Sequence, residues 1–159
     1  MNDRQRMTHL DESGAARMVD VGDKSVSARA ATARARVTVS PDVVALLRGE
    51  GVPKGDALGV ARIAGIMAAK RTPDLIPLCH PIALDGVDLD LDVHDDGVQI
   101  TATVRTHDRT GVEIEALTAV TVAAVAVIDM VKAVDKSARI AGAEVIAKSG
   151  GRSGDWRRA

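Results

Sequence analysis

The sequence predicts an α+β fold in which helices cover one face of an antiparallel sheet. Apolar and polar residues alternate with a period of two in residues 26–39, 87–93 and 98–104, which is typical of half-buried strands. A short Asp-Asp-Gly turn joins the last two, so they form a hairpin. Segments with helical spacing precede and follow this hairpin. The order strand, helices, strand, strand, helix, strand is typical of a ferredoxin-like sandwich.

Composition supports one folded domain and excludes several functions. The 159 residues are 46% hydrophobic and 27% charged, with a net charge of −1, which argues against disorder and against a DNA-coating protein. One Trp and no Tyr or Phe argue against domains that stack nucleic-acid bases. A single cysteine excludes an internal disulfide, a CxxC zinc site and a cysteine-held iron–sulfur cluster. We expect no nucleic-acid partner, no metal and no cofactor.

The two ends of the chain differ from its middle. Residues 1–17 are polar and aperiodic and predict a flexible arm; residues 150–159 are rich in Gly, Ser and Arg and predict a flexible tail. A single domain is expected over residues 18–149. The first ten residues lack the apolar core of a secretory signal, and the apolar run 116–128 is shorter than the roughly 20 residues that span a membrane. We expect a soluble, cytoplasmic protein with no membrane partner.

The first strand leads into two helices. Along residues 26–39 the alanines and valines at odd positions 31–39 share one face. Ser40 is expected as the N-cap of a short helix that begins at Pro41 and stops near Gly49. A second helix is expected from about residue 57 to 71, and it has a narrow small-residue face for close packing, formed by Ala57, Ala61, Ala64 and Ala68.

The second half contains a proline-rich segment, the hairpin, a long helix and a last strand. Three prolines within residues 73–81 predict that 72–81 is not helical. The third helix is expected from about 111 to 134. Its residues 116–128 are apolar on all sides of the helix, with no polar stripe for solvent, which indicates burial on several sides. A domain of this size has little room to enclose such a helix, so we expect it at a subunit interface. The last strand is expected over 138–147.

Two carboxylates open the long helix. Thr110 and Glu113 have the spacing of a capping box, in which Thr110 caps the helix and Glu113 reaches back. That local role leaves Glu115 unexplained. Two residues apart on a helix, Glu113 and Glu115 point about 200° apart and cannot both face one pocket unless the first turn is irregular.

Charged residues at the other end of that helix have both a structural and a functional interpretation. Asp129 and Lys132 are i, i+3 neighbours and could form a surface ion pair. A carboxylate that enters a buried seam must instead be paired or functional, and a lysine there can act as acid or base. Before the second helix, Asp56 is a candidate N-cap and Lys54 is either a solvated loop residue or a cation that reaches toward an anionic substrate.

Three further candidates suit a phosphate-bearing substrate. His80 lies in the proline-rich loop between Cys79 and Pro81, where loops often carry sites, although a lone histidine is a poor metal ligand. Arg29 falls on the apolar face of the first strand, either near its exposed start or pointing into a cleft. Residues 148–154 are either a flexible tail or a backbone nest for phosphate, without the spacing of a P-loop. This set of cations, carboxylates and one histidine suits acid–base steps on an anion.

Several segments in order resemble the MoaC family of cyclic pyranopterin monophosphate synthases in molybdenum-cofactor biosynthesis. The matching segments cover roughly residues 8–156 and are the following: Met18-Val19-Asp20-Val21, Lys54-Gly55-Asp56, Ala61-Arg62-Ile63-Ala64-Gly65-Ile66, Ala69-Lys70-Arg71-Thr72, Asp74-Leu75-Ile76-Pro77-Leu78-Cys79-His80-Pro81, Gly111-Val112-Glu113-Ile114-Glu115-Ala116-Leu117-Thr118, Asp129-Met130-Val131-Lys132-Ala133-Val134 and Ala147-Lys148-Ser149-Gly150-Gly151.

The resemblance implies a ferredoxin-like subunit in a homo-hexamer, a trimer of dimers, with active sites at subunit interfaces. It implies a lyase that rearranges 3′,8-cyclo-7,8-dihydro-GTP to cyclic pyranopterin monophosphate and releases pyrophosphate. The cyclised GTP would come from a separate radical-SAM protein, because this chain has no cysteine cluster for a radical step. A non-catalytic nucleotide-binding relative with the same fold is the alternative.

The resemblance also implies site residues. Asp129, Lys132 and Lys54 would be catalytic, with the two lysines moving protons and Asp129 orienting Lys132. Ile114 stands where the family often has Met, an apolar exchange that should preserve packing. The expected substrate-binding residues are Leu78, Cys79, His80, Glu113, Ile114, Glu115, Asp20, Arg29, Lys70 and Lys148, of which Arg29, Lys70 and Lys148 would neutralise the triphosphate.

Overall fold

The predicted α+β fold is confirmed by a computed structural model that describes residues 9–49 and 52–159. Helices pack on one face of an open antiparallel sheet, as in a ferredoxin-like sandwich. The strands are β1 (Ser27–Thr38), β2 (Gly86–His94), β3 (Gly97–Asp108), β4 (Arg139–Ser149) and β5 (Trp156–Arg157). The helices are α1 (Pro41–Arg48), α2 (Ala57–Lys70), α3 (Thr72–Leu75) and α4 (Glu113–Val131).

The sheet has the order β2-β3-β1-β4-β5, and every neighbouring pair is antiparallel. β1 pairs with β3 along its whole length, from Ser27 opposite Asp108 to Thr38 opposite Gly97. The start of β1, the end of β3 and the beginning of α4 therefore meet at one edge of the molecule. Of the residues expected to bind substrate, Arg29 on β1 and residues 113–115 on α4 lie at this edge.

Small apolar side chains form the core between the sheet and the helices. The odd-numbered residues of β1 from Ala31 to Val37 are buried, as the alternation predicts, and they face the buried side of α4. α2 and α4 pack closely because Gly65 has no side chain. A Cβ there would overlap the Leu89 side chain and the Ala119 carbonyl oxygen. Of the small-residue face predicted for α2, Ala57, Ala61 and Ala68 are buried and Ala64 is half-buried.

The helix starts test the capping predictions. Ser40 and Asp56 are confirmed as N-caps, because their side-chain oxygens accept from the backbone N–H groups of Val43 and Gly59. The capping box at Thr110 is wrong: Val112 occupies the N-cap position of α4 and makes no side-chain capping bond. The Glu113 carboxylate pairs instead with Lys148, 35 residues further along the chain.

The prediction that 72–81 contains no helix is wrong for its first turn. Residues Thr72–Leu75 form the single-turn helix α3 directly after α2. Pro73 is tolerated because the first turn of a helix needs no backbone N–H donor. Buried Thr72 anchors the turn, since its hydroxyl donates to the carbonyls of Ala68 and Ala69 at 3.2 and 3.0 Å.

The two predicted flexible ends contain local structure. Residues 1–8 of the N-terminal arm lie outside the described residues. In the rest of the arm the Asp11 carboxylate accepts from the backbone N–H groups of Ser13 and Ala15. In the C-terminal tail β5 pairs with β4, so that Trp156 lies opposite Lys148, a strand that the sequence pattern did not predict. The flexibility of both ends remains a prediction.

α4 is the apolar helix expected from the sequence, with bounds a few residues inside the predicted ones. By length and composition alone it could cross a membrane, yet 56% of its apolar window is buried inside this subunit against the sheet and α2. It is therefore the core helix of the fold. Its outer side remains exposed in the subunit, most clearly at Val125, whose relative exposure is 54%.

Candidate active site

A polar cavity of about 610 Å³ lies at the amino end of α4, between the start of β1 and the turn after β4. We call it the amino-end cavity. Cations outnumber carboxylates in its lining, which suits an anionic ligand. The lining consists of Asp23, Lys24, Ser25, Ser27, Arg29, Ala30, Thr110, Gly111, Glu113, Lys148, Ser149, Gly150, Gly151, Arg152 and Ser153.

Arg29 is fixed in the wall of this cavity. Its Nε donates to the carbonyl oxygen of Asp108 at 2.9 Å, which leaves the rest of the guanidinium group beside the glycine turn. Gly150 and Gly151 have φ values of +81° and +74°, and a Cβ on Gly151 would overlap the Arg29 Nη1 atom. The turn therefore needs glycine both for its backbone conformation and for its approach to Arg29.

Lys148 lines the cavity from β4, the strand next to that of Arg29, and has two partners of its own. Its Nζ is 3.2 Å from a Glu113 carboxylate oxygen and donates to the Ser153 hydroxyl at 2.7 Å. Both charged side chains are partly buried, with relative exposures of 26% for Lys148 and 30% for Glu113. A bound phosphate would compete with Glu113 for the Lys148 ammonium group.

Glu115 does not line the cavity that Glu113 lines, which agrees with the helical geometry predicted for the two carboxylates. It is only 3% exposed, and burial, together with the nearby charge of Glu113, raises the pKa of Glu115 to about 7. Burial also raises the pKa of the Cys79 thiol, with a second contribution from the charge of Glu115. This carboxyl group can thus hold or release a proton near neutral pH.

The loop 78–80 is held against the segment that precedes β1. The His80 ring donates from Nε2 to the Val19 carbonyl oxygen at 2.6 Å, which fixes the tautomer because a carbonyl can only accept. Leu78 and Cys79 are partly buried beside it. In the adjoining segment the exposed Asp20 carboxylate accepts from the backbone N–H of Gly22 at 2.8 Å.

Two other expected binding residues lie at this end but outside the cavity lining. Ile114, in the first turn of α4, is 40% exposed. Lys70 is exposed in the last turn of α2. Contact of either residue with a substrate remains a prediction.

A second cluster, the carboxyl-end cluster, consists of Lys54, Asp129 and Lys132. The Lys132 Nζ is 2.7 Å and the Lys54 Nζ 3.2 Å from the Asp129 carboxylate, and Lys54 also donates to the Asp129 backbone carbonyl at 2.8 Å. The hydrogen bond from Lys132, followed by that from Lys54, holds the pKa of Asp129 below its usual value. Of the two interpretations of Asp129, the subunit shows the surface ion pair and not the buried seam, because the Asp129 side chain is 55% exposed.

The two groups lie at opposite ends of α4. Glu113 is the first residue of this helix and Asp129 the third from last. At 1.5 Å per residue their backbones are about 24 Å apart. The catalytic candidates and the cavity are therefore a helix length apart within one subunit. A reacting atom must come within roughly 3.5 Å of its catalytic group.

Sequence reasoning missed part of the cavity lining. Asp23, Lys24, Ser25 and Ser27 reach it from the loop before β1 and the first residue of that strand, and no spacing or motif distinguishes them from ordinary polar loop residues. Thr110 was predicted only as a helix cap, whereas residues 150–153 belong to the segment interpreted as either a flexible tail or a backbone nest for phosphate. Within residues 9–49 and 52–159 no group of three His, Cys, Asp or Glu side chains is placed to hold a metal ion.

Comparisons with known proteins agree with the segments noted in the sequence. The model of the MoaC family matches residues 18–151. A cyclic pyranopterin monophosphate synthase of Streptomyces griseus is 70% identical over 99% of this chain and 89% of its own length. A synthase of the same name from Nocardioides is 68% identical over 97% of this chain and 96% of its own. Cyclic pyranopterin monophosphate synthase 2 of Mycobacterium tuberculosis is 57% identical over 96% of this chain and 91% of its own length. The chain belongs to the MoaC family.

Proposed function

We propose that this chain is a lyase of molybdenum-cofactor biosynthesis that converts 3′,8-cyclo-7,8-dihydro-GTP to cyclic pyranopterin monophosphate and pyrophosphate. The observation that carries the proposal is the 57–70% identity to synthases of that name over nearly the whole chain. The two lysines that share the Asp129 carboxylate and the cationic cavity supply chemistry that this reaction requires.

The carboxyl-end cluster suits proton transfer. Ring opening and ring closure of the substrate need groups that give and take protons, and a lysine can do both once a neighbouring subunit shields it from water. Asp129 remains an anion because both lysines donate to it, so it holds the two ammonium groups at a fixed spacing. We assign proton transfer to Lys54 and Lys132 and orientation of Lys132 to Asp129.

The amino-end cavity suits the phosphates. A cyclic monophosphate keeps one of the three phosphate groups of the substrate, so the other two leave as pyrophosphate and carry charge that must be neutralised. Arg29 and Lys148 line this cavity from the neighbouring strands β1 and β4, and Arg152 lines it from the turn after β4. The segment 78–80, Ile114 and Glu115 do not line this cavity, and we assign them to the remainder of the substrate.

A complete site then needs two subunits, because its catalytic and binding halves lie about 24 Å apart in one chain. We assign the carboxyl-end cluster of one copy and the amino-end cavity of another to the same site, within a hexamer that is a trimer of dimers. The substrate would be supplied in the cytoplasm by a separate radical-SAM cyclase.

The first test is to supply the purified protein with the cyclised GTP and follow pyrophosphate release together with pterin formation. We expect stoichiometric formation of both products. Binding of the substrate without turnover would overturn the lyase and favour the alternative, a nucleotide-binding relative that keeps the fold.

A second test asks whether one site uses two copies of the chain. Lys132→Ala and Arg29→Ala disable opposite ends, and each variant should be inactive alone. Mixed and reassembled, they should regain about a quarter of the normal activity, because half of the randomly formed dimers contain one intact site out of two. No recovery, with mixed dimers present by mass, would assign both ends to the same subunit.

A further inference from the structure

The turn that closes the amino-end cavity joins β4 to β5 and is rich in glycine. It spans residues 150–155, and residues 150–153 line the cavity. Gly150, Gly151 and Gly154 all have positive φ values, of +81°, +74° and +66°. Glycine loses more conformational freedom on folding than any other residue. A turn of this composition therefore needs other groups to hold it in one conformation.

One carboxylate joins the first residue of this turn to the last. The Asp155 Oδ1 atom accepts from the backbone N–H of Gly150 at 3.1 Å. Within the loop that this bond closes, the Gly154 N–H donates to the Gly151 carbonyl oxygen at 3.2 Å. Asp155 itself is not among the residues that line the amino-end cavity. It therefore acts on a ligand there through the turn and not by direct contact.

The residues that follow Asp155 are bound to β4. Trp156 pairs with Lys148 in the antiparallel ladder. The Arg158 N–H donates to the Ile146 carbonyl oxygen at 2.9 Å, and the Arg158 Nε donates to the carbonyl oxygen of the preceding residue at 3.0 Å. The chain is thus anchored to β4 on both sides of the turn, and the Asp155 side chain closes the turn between the two anchors.

The turn in its closed form sets the positions of two cations in the cavity. The Ser153 hydroxyl accepts from the Lys148 Nζ atom at 2.7 Å. Gly151 lies so close to Arg29 that an added Cβ would overlap the Arg29 Nη1 atom. A turn held in one conformation therefore keeps both cations at one spacing, so that binding of a phosphate group does not have to order them first.

We propose that Asp155 is a positioning residue for anion binding in the amino-end cavity, because its carboxylate closes the turn that holds Lys148 and Arg29 in place. The inference rests on the proposed function for the identity of the ligand, a phosphate chain. Two roles of Asp155 predict opposite signs. A negative charge near the cavity by itself weakens anion binding, so its removal would strengthen binding; loss of the bond that closes the turn weakens binding instead.

Two variants separate these roles, because the side chain in Asp155→Asn keeps an oxygen that can accept from Gly150 and the side chain in Asp155→Ala does not. The first measurement is the Kd of pyrophosphate by titration calorimetry. Asp155→Ala should raise this Kd by about tenfold, and Asp155→Asn should not raise it. Tighter binding by Asp155→Ala, equal weakening in both variants, or no binding by the parent protein would overturn the proposal.

Hydrogen exchange of the Gly150 amide checks the bond itself. Exchange should be faster in Asp155→Ala than in the parent protein or in Asp155→Asn, and equal rates in all three would overturn the proposal. Asp95→Ala is the matched control. It removes a carboxylate that accepts from Arg48 at 2.9 Å in the turn between β2 and β3, at the end of β3 away from the cavity. It should change neither the exchange rate nor the Kd, and a weakening as large as in Asp155→Ala would contradict the positioning role.

Turnover of the cyclised GTP separates this inference from the proposed lyase. Asp155→Ala should raise KM by about the same factor as the Kd of pyrophosphate, with kcat nearly unchanged, whereas a general loss of folded protein would lower kcat instead. Weakened pyrophosphate binding in Asp155→Ala, with no turnover in the parent protein, would reject the lyase and keep the positioning role. Turnover in the parent protein with an unchanged KM in Asp155→Ala would do the reverse.

Discussion

The two ends of α4 carry charge in different ways. At the amino end, Arg29, Lys148 and Glu115 are partly or fully buried, and hydrogen bonds to backbone or side-chain atoms hold the cations in place. At the carboxyl end, Lys54, Asp129 and Lys132 are 40–60% exposed, and the three side chains are held mainly by one another. The charged groups at the amino end are thus held within the subunit, as the proposed ligand site requires. The carboxyl end is an open charge network, and the catalytic role proposed for it requires a second subunit to cover it.

Lys132→Ala tests the catalytic role of the open end and should have the largest effect. General acid–base catalysis contributes about 10²–10⁴-fold, so kcat should fall by at least about 100-fold while substrate affinity changes little. The measurement is single-turnover kinetics together with equilibrium binding. Lys136→Ala removes another exposed lysine four residues further along and should leave both quantities unchanged. Equal losses in the two variants would remove the proton-transfer assignment.

Glu115→Gln tests the burial of the Glu115 carboxyl group at the amino end of α4 through its effect on the free energy of unfolding. Below about pH 4.5 the Glu115 carboxyl is protonated in both states; between pH 4.5 and 7 only the unfolded chain releases the proton. The free energy of unfolding of the parent protein therefore falls as pH rises through this window, by roughly 3 kcal/mol in total. The variant should be more stable than the parent at pH 8 and similar to it at pH 4, as measured by urea unfolding.

The control for that experiment is a carboxylate whose pKa is lowered by folding instead of raised. A hydrogen bond from Arg34 lowers the pKa of half-buried Glu144, so Glu144→Gln should not raise the free energy of unfolding at pH 8. A gain of the same size in both variants would show that net charge, and not burial of Glu115, determines the pH dependence.

Gly151→Ala tests how the cavity wall positions Arg29 and should have the smallest effect. The added methyl group would displace the guanidinium group, so we expect KM to rise by about tenfold, roughly 1.4 kcal/mol of binding, with a smaller change in kcat. Gly154→Ala is matched to it, because φ is also positive there, at +66°, and nothing lies within 4 Å of the added Cβ. If the two variants behave alike, backbone strain alone explains the change.

The features that could be predicted from the sequence are those that depend on residues close together in the chain. Alternation at residues 31–39 located the central strand, and Ser40 and Asp56 located two helix starts, because strand faces and N-caps are local properties. The wrong capping box shows the limit of this reasoning: Glu113 had a suitable local partner in Thr110, yet it pairs with Lys148 from a distant strand. Helix α3 was missed because Pro73 was treated as a breaker regardless of its position in the turn.

The site was predictable in part for the same reason. The i, i+3 spacing alone indicated the pair Asp129–Lys132. Lys54, by contrast, reaches Asp129 only through the packing of α2 on α4, and its place in the cluster followed from family resemblance. The separation of the cluster from the cavity depends on which end of α4 each residue occupies in the folded chain.

The two-residue strand β5 gives the protein a spectroscopic property. Trp156 is the only Trp in a chain without Tyr, so it is the source of essentially all intrinsic fluorescence. It lies opposite Lys148 in the sheet, is 42% exposed, and has the Arg158 guanidinium carbon 5.4 Å from its ring centre. Occupation of the cavity that moves the backbone of Lys148 would change the surroundings of this indole. Ligand binding could then be followed by its emission, without a label and without background from other aromatic residues.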